Sequence, residues 1–199
     1  MLIAALIAFV AVQSPAGDSV VYSVAPASRL EVTTAKSGLL GFAGHEHTIR
    51  ARSVSGRIVY RPDALSASLV EITVLTDSLE VLTPPDTEEI RKVTQSMRTE
   101  VLDVAHYPEI RLVSHRIEGT PGGGRVTMTA ALTIKGQTRE IPLTVDLAIG
   151  RDTLRATSTF RIKQTDFGIK PFRGGPGGTV RVADQVTFSI DVVGVVTRP

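Results

Sequence analysis

The chain has no cysteine and no tryptophan, and aromatic residues make up only 5% of it. The absence of cysteine excludes disulfides, thiolate metal sites and a cysteine nucleophile, but does not fix the compartment. With so few rings, an apolar interior must be lined mainly by aliphatic groups. A dominant charge is also lacking. The 22 Lys+Arg are dispersed among 20 Asp+Glu for a net +2, with no basic block and no aromatic ladder beside one, which argues against a nucleic-acid partner. Two glycine-rich stretches, Pro121–Gly124 and Gly174–Gly178, have no Lys-Ser/Thr at P-loop spacing and open no helix, so they read as loops rather than phosphate cradles. There is no Gly-x-Ser-x-Gly, and the serines fall mostly on wet strand faces, so no residue is nominated as catalytic and no cofactor is implied.

The chain has a single long apolar run, Leu2 to Val12, followed by Gln13-Ser14-Pro15-Ala16-Gly17. An h-region of this length with Ser14 and Ala16 at the −3 and −1 positions reads as a secretory signal over residues 1–16, although no Lys or Arg precedes it. The run is too short to span a bilayer comfortably. The expectation is a periplasmic or secreted protein whose folded part is residues 17–199, a length that suits one domain.

Within that part the pattern has period 2. Val126, Met128, Ala130, Leu132 and Ile134 alternate mainly with threonines, as in a strand with one dry face and one wet face. Lys135-Gly136-Gln137-Thr138 reads as a turn, and alternation resumes at Ile141, Leu143, Val145, Leu147 and Ile149, which predicts a hairpin. Further strands are expected at Val54–Tyr60, Ser68–Thr76, Ile110–Ile117, Leu154–Ile162, and Val180–Val182 leading into Val186–Val195, with shorter ones near Tyr22–Val24 and Leu30–Thr34. Asp166-Phe167-Gly168 reads as a turn with Phe167 as its anchor.

One segment departs from the period. Asp86-Thr87-Glu88-Glu89 is an N-cap signature, and Ile90, Val93, Met97 and Val101 then recur on one helical face, up to a stop before Tyr107-Pro108. Consecutive alternating strands, no long crossover and a lone amphipathic helix predict an all-β protein: an antiparallel barrel of about eight strands. Barrels of that size can hold one small ligand.

Several motifs occur in order. They are Gly38-Leu-Leu-Gly-Phe-Ala-Gly44-His45-Glu46-His47, Val54-Ser-Gly56-Arg-Ile-Val, Val70-Glu-Ile-Thr-Val74, Ser78-Leu79, Val101-Leu102-Asp103, Tyr107-Pro108-Glu-Ile110, Ala131-Leu-Thr133-Ile-Lys135-Gly136-Gln-Thr138, Thr165-Asp166-Phe167-Gly168-Ile169 and Val182-Ala-Asp184-Gln-Val186. Together they resemble the YceI-like family of bacterial periplasmic proteins, from about Tyr22 to Val196. The resemblance implies a lipocalin-like barrel with a long internal cavity holding a polyisoprenoid or another long-chain amphiphile. At His45-Glu46-His47 the chain departs from the family's commoner pattern of a single histidine.

The expected function is non-catalytic binding or transport of a lipid-like small molecule: a polyisoprenoid, quinone or fatty-acid-like amphiphile. Inward-facing Val126, Met128, Ala130, Leu132, Ile141, Leu143, Val145 and Phe160 would line its cavity, with Ile90, Val93 and Met97 closing it. Small Ala130 is expected to leave room. His45 and His47 would share a face in a strand and grip a headgroup or sit at the rim. The alternatives are a periplasmic metal site on that pair, completed by His106 or His115, and a filled barrel with only an interaction role. Transient membrane contact and homodimer formation are left open.

Overall fold

The computed structural model describes residues 18–37, 46–82, 87–174 and 180–198. The expected signal segment, His45, Asp86 and most of the second glycine-rich stretch lie outside the described residues.

Alternation produces strands almost everywhere it was read. In chain order they are β1 (Val20–Val24), β2 (Arg29–Ser37), β3 (His47–Ala51), β4 (Val54–Tyr60), β5 (Leu69–Leu75), β6 (Leu79–Val81), β7 (Glu109–Gly119), β8 (Gly124–Ile134), β9 (Gln137–Ile149), β10 (Thr153–Lys163), β11 (Arg173–Gly174) and β12 (Val180–Val196). Eight of them form a closed antiparallel ring in the order β1-β4-β5-β7-β8-β9-β10-β12, and β12 returns to β1 through Tyr22↔Val196 and Val24↔Gly194. Closure leaves the ring without a terminal edge strand of the kind that makes open sheets prone to pair with other chains.

β2, β3 and β6 extend the sheet beyond the ring. β2 lies along β12, β3 along β2 and β6 along β3. These continue the lines of β1, β4 and β5, interrupted at residues 25–28, at Arg52-Ser53 and by a 3₁₀ turn at Thr76–Ser78. β12 is one strand, not the two segments the sequence predicted; its register shifts between Val182 and Val186.

The β8–β9 hairpin turns at Lys135 (φ 49°) and Gly136 (φ 71°), the two positive φ values of a type I′ turn. A Cβ on Gly136 would sit 2.8 Å from Cε1 of Tyr107, so this glycine also permits the close approach of the segment after the helix.

That helix, α1 (Thr87–Ser96), runs into a π-helical turn over Met97–Val101, where Leu102 N–H donates to Met97 O at 2.9 Å. Ile90 and Val93 are half-buried and Met97 is buried, all packed against the core. Lys92 pairs with Glu88 at 2.7 Å on the wet face. Lys135 Nζ donates to Glu100 O and Val101 O at 3.2 and 2.9 Å, fixing the last turn over the β8–β9 end of the barrel. At the opposite end the Tyr60 hydroxyl accepts the Gly122 N–H at 2.9 Å, and buried Leu65, from a 3₁₀ turn at Leu65–Ala67, also lies there.

Candidate apolar ligand cavity

The inward residues of the ring leave a cavity of about 80 Å³ in the half of the barrel away from α1. Seven of the eight ring strands contribute inward side chains: Ile58 and Tyr60 from β4, Val70 and Ile72 from β5, Leu112 and Ile117 from β7, Val126 and Met128 from β8, Leu143 and Val145 from β9. β10 adds Leu154 and small Ala156, and β12 adds Ile190 and Val192. Only Tyr60, Ser68 and Ser158 bring polar atoms, and each is already hydrogen-bonded to backbone. Tyr60 serves Gly122, Ser68 Oγ accepts from Arg61 N at 2.9 Å, and Ser158 Oγ donates to Thr144 O at 2.7 Å. The space therefore selects apolar groups by shape and by exclusion of water, not by directed contacts.

Of the residues expected at a ligand site, Val126, Met128, Leu143 and Val145 line this cavity. Ala130 does not, and the room expected beside it is absent. It is 0% exposed, with Ser114 and Ile141 as its cross-strand partners, so no solvent-sized space reaches it. Leu132 is buried in the same packed layer, at 3% exposed. Ile141 and Phe160 point inward but keep partial exposure; Phe160 stacks on Phe188, with ring centroids 5.0 Å apart and planes within 10°. Ile90, Val93 and Met97 pack over the other half of the barrel and are not part of the cavity's lining.

His47 opens β3, opposite Thr34 of β2, and is half-buried. The two histidines considered as its partners are committed elsewhere. His115 is the extra residue where the β7–β8 register shifts, and its Nδ1 bonds Glu140 Oε1 at 2.7 Å on the outside of the barrel. His106 bonds Asp103 at 2.8 Å. Among the described residues, no group of three or more His, Asp or Glu side chains is placed to hold a metal ion.

Sequence reasoning missed Ile58, Tyr60, Ile117, Ala156, Ile190 and Val192 as lining residues. Their inward parity was legible in strands already predicted, but parity alone does not say which layer of a barrel interior is packed and which is void. Electrostatics near the cavity is quiet. Burial pushes the Tyr22 phenol up, aided by Tyr60 and Asp152. On the outer wall the Arg155 guanidinium, paired with both oxygens of Asp191 at 2.8 and 2.7 Å, holds that carboxyl low.

The profile of the YceI-like domain matches residues 22–194. Among solved structures, BcnA of Burkholderia cenocepacia is 20% identical with a TM-score of 0.64, over 83% of this chain and 95% of that one. A polyisoprenoid binding domain from Saccharophagus degradans is 14% identical with a TM-score of 0.66, over 89% and 99%. The Campylobacter jejuni YceI protein is 16% identical with a TM-score of 0.57, over 76% and 85%. These likenesses are likenesses of fold. No curated protein matches the chain.

Proposed function

The chain belongs to the YceI-like domain family, and on that footing we propose that it binds the apolar chain of a long amphiphile inside its barrel, without transforming it. The observation that carries this reading is the lining: aliphatic side chains from seven strands of the ring around a space whose few polar groups are already hydrogen-bonded. Burial of such a chain is worth roughly 0.8 kcal/mol per CH₂, so about ten groups would supply ~8 kcal/mol before ordering costs. A structural neighbour described as a polyisoprenoid binding domain supports the same class of ligand. The leader-like N-terminus supports a periplasmic or secreted location, where carriage of a water-insoluble molecule between membranes is useful. Among the described residues no helix is long and apolar enough to cross a membrane.

The cavity's size refines the proposal. On a measure in which one water needs roughly 10–15 Å³, about 80 Å³ admits the tip of a chain and not its length. Seating more of it requires the interior to open, and flexible Met128 in the lining is suited to that.

Mass spectrometry of an organic extract of the protein purified from its native host tests the reading. A stoichiometric isoprenoid, quinone or fatty amphiphile is the expected result. A clean extract, repeated after incubation with native membranes, would overturn it.

A further inference from the structure

The barrel wall is not sealed along every strand pair. In the β8–β9 hairpin the two-residue type I′ turn makes Ile134 and Gln137 a hydrogen-bonded pair, and such pairs then recur at every second residue. Even-numbered residues of β9, from Thr138 to Ala148, therefore aim their main-chain groups at β10. The β9–β10 ladder runs from Leu154↔Ile149 to Thr157↔Asp146 and stops there. Continued in register it would set Thr159 against Thr144, Arg161 against Pro142 and Lys163 against Glu140. Pro142 has no N–H to offer on that side. Where Thr159 N–H would have met Thr144, the Ser158 hydroxyl reaches across to Thr144 O at 2.7 Å instead. Both strands stay paired on their other sides, β9 as far as Gln137↔Ile134 and β10 as far as Lys163↔Gln185. The result is a seam. It is bounded at one end by the Ser158–Thr144 strap and at the other by the 3₁₀ turn Gln164–Phe167, whose following Gly168 lies against Gln137.

The seam joins inside to outside. Ser158 and Ile190 line the internal cavity and also a polar groove of about 460 Å³ on the outer wall. Beyond the last ladder pair, Phe160 and Ile141 point at the core yet remain partly exposed, on either side of the gap. The parallel stack of Phe160 on Phe188 makes the β10 side a firm aromatic wall.

We propose that the β9–β10 seam is a lateral portal through which an apolar chain passes into the barrel. This rests on the reading of the barrel as a chain binder. Parting the strands here breaks no ladder hydrogen bonds, whereas parting a paired seam would. The strap at Ser158 is the latch.

The test uses the absence of native cysteine. A variant carrying Thr144→Cys and Thr159→Cys places a cysteine pair across the upper seam, and Ser158→Ala removes the latch. Stopped-flow uptake of cis-parinaric acid, a fluorescent chain-shaped fatty acid, is followed in the parent, in Ser158→Ala, and in the cysteine pair oxidised and reduced. The oxidised pair should take up the probe at least tenfold more slowly than the same protein reduced. Ser158→Ala should take it up several-fold faster than the parent. If the parent binds the probe but neither Ser158→Ala nor oxidation alters the rate, the portal is wrong and the chain-binding reading stands. If the disulfide does not form, Ser158→Ala alone decides. A parent that binds no probe at all overturns the binding reading and the portal with it.

Discussion

The carboxylate of Asp184 accepts two hydrogen bonds from Thr165, from its N–H at 2.9 Å and from its hydroxyl at 2.7 Å. Asp184 sits where β12 shifts register, and Thr165 sits in the turn that follows β10. Gln164 reinforces the tie by donating to Ala183 O at 2.8 Å, and Phe167, 1% exposed, anchors the turn from below. This cluster closes the far end of the β9–β10 seam, so its integrity bears on how far the wall can part.

Removing that tie gives the first prediction. The Thr165 N–H, foremost among the causes, holds the Asp184 carboxyl below its ordinary value. A carboxyl lowered in the folded state stabilises the fold above its unfolded pKa, about 3.9, and loses that contribution as pH falls through the lower folded value. Asp184→Ala should cost about 1 kcal/mol near neutrality, given the group's exposure to solvent. Melting curves of parent and variant should differ by a few degrees at pH 7, and the gap should narrow below about pH 4. A gap constant down to pH 2 would mean that the charge on Asp184 does not matter.

Gly136 carries the second. Its φ of 71° and the nearness of Tyr107 leave no place for a Cβ. Gly136→Ala should destabilise by about 1–2 kcal/mol, from left-handed backbone strain together with displacement of Tyr107. Hydrogen exchange should show the loss first at the β8–β9 hairpin tip and the π-helical turn, since Lys135 joins the two. A uniform change across the barrel would count against that coupling.

The hairpin was legible because period 2 and turn chemistry agree there: threonines alternate with apolar residues up to Lys135-Gly136. β3 and β6 were not, for a physical reason. His47-Thr-Ile-Arg-Ala51 and Leu79-Glu-Val81 are too short to show a period, and they extend strands from which two and three residues separate them. β12 reads as two strands because Asp184 interrupts its alternation, which is where the register shifts to let the carboxylate reach Thr165. The helix was marked by its apolar stripe, but its change to π geometry at Met97 has no signature in the stripe's spacing. Alternation separates inside from outside and is silent on void against packing; hence Ala130 could be read as room when the room lies beside Ala156. Pro142 alone hinted at the seam, as a proline inside an otherwise regular strand pattern.

The third prediction concerns the end of the barrel opposite α1. Tyr60 is 6% exposed, and its hydroxyl holds the β7–β8 loop through Gly122. Because Gly122 is itself exposed, water can take over its N–H, and Tyr60→Phe should cost only about 0.5–1 kcal/mol. Amide exchange at Gly122 should accelerate clearly, while cis-parinaric acid uptake stays at the parental rate. Faster uptake in Tyr60→Phe would move the route of passage from the seam to this end.

Two inward alanines on the barrel wall should answer the same substitution in opposite ways. Ala156 borders the cavity, opposite Leu147 and Val192; Ala130 is wholly enclosed, opposite Ser114 and Ile141. Leucine adds the same three carbons at either place. At Ala156 they enter existing space, so Ala156→Leu should leave the melting temperature unchanged or raise it by a few degrees. The same atoms occupy the volume a ligand chain would take, so cis-parinaric acid affinity should fall at least tenfold. At Ala130 the added carbons meet packed neighbours, and overpacking should cost about 1–3 kcal/mol, with several degrees lost on melting. Affinity per folded molecule should change less at Ala130 than at Ala156, because the lining is left in place. Thermal melts and fluorescence titrations on both variants measure the two effects separately. If Ala156→Leu binds the probe as tightly as the parent, the chain does not sit in this cavity, however well the fold tolerates the change.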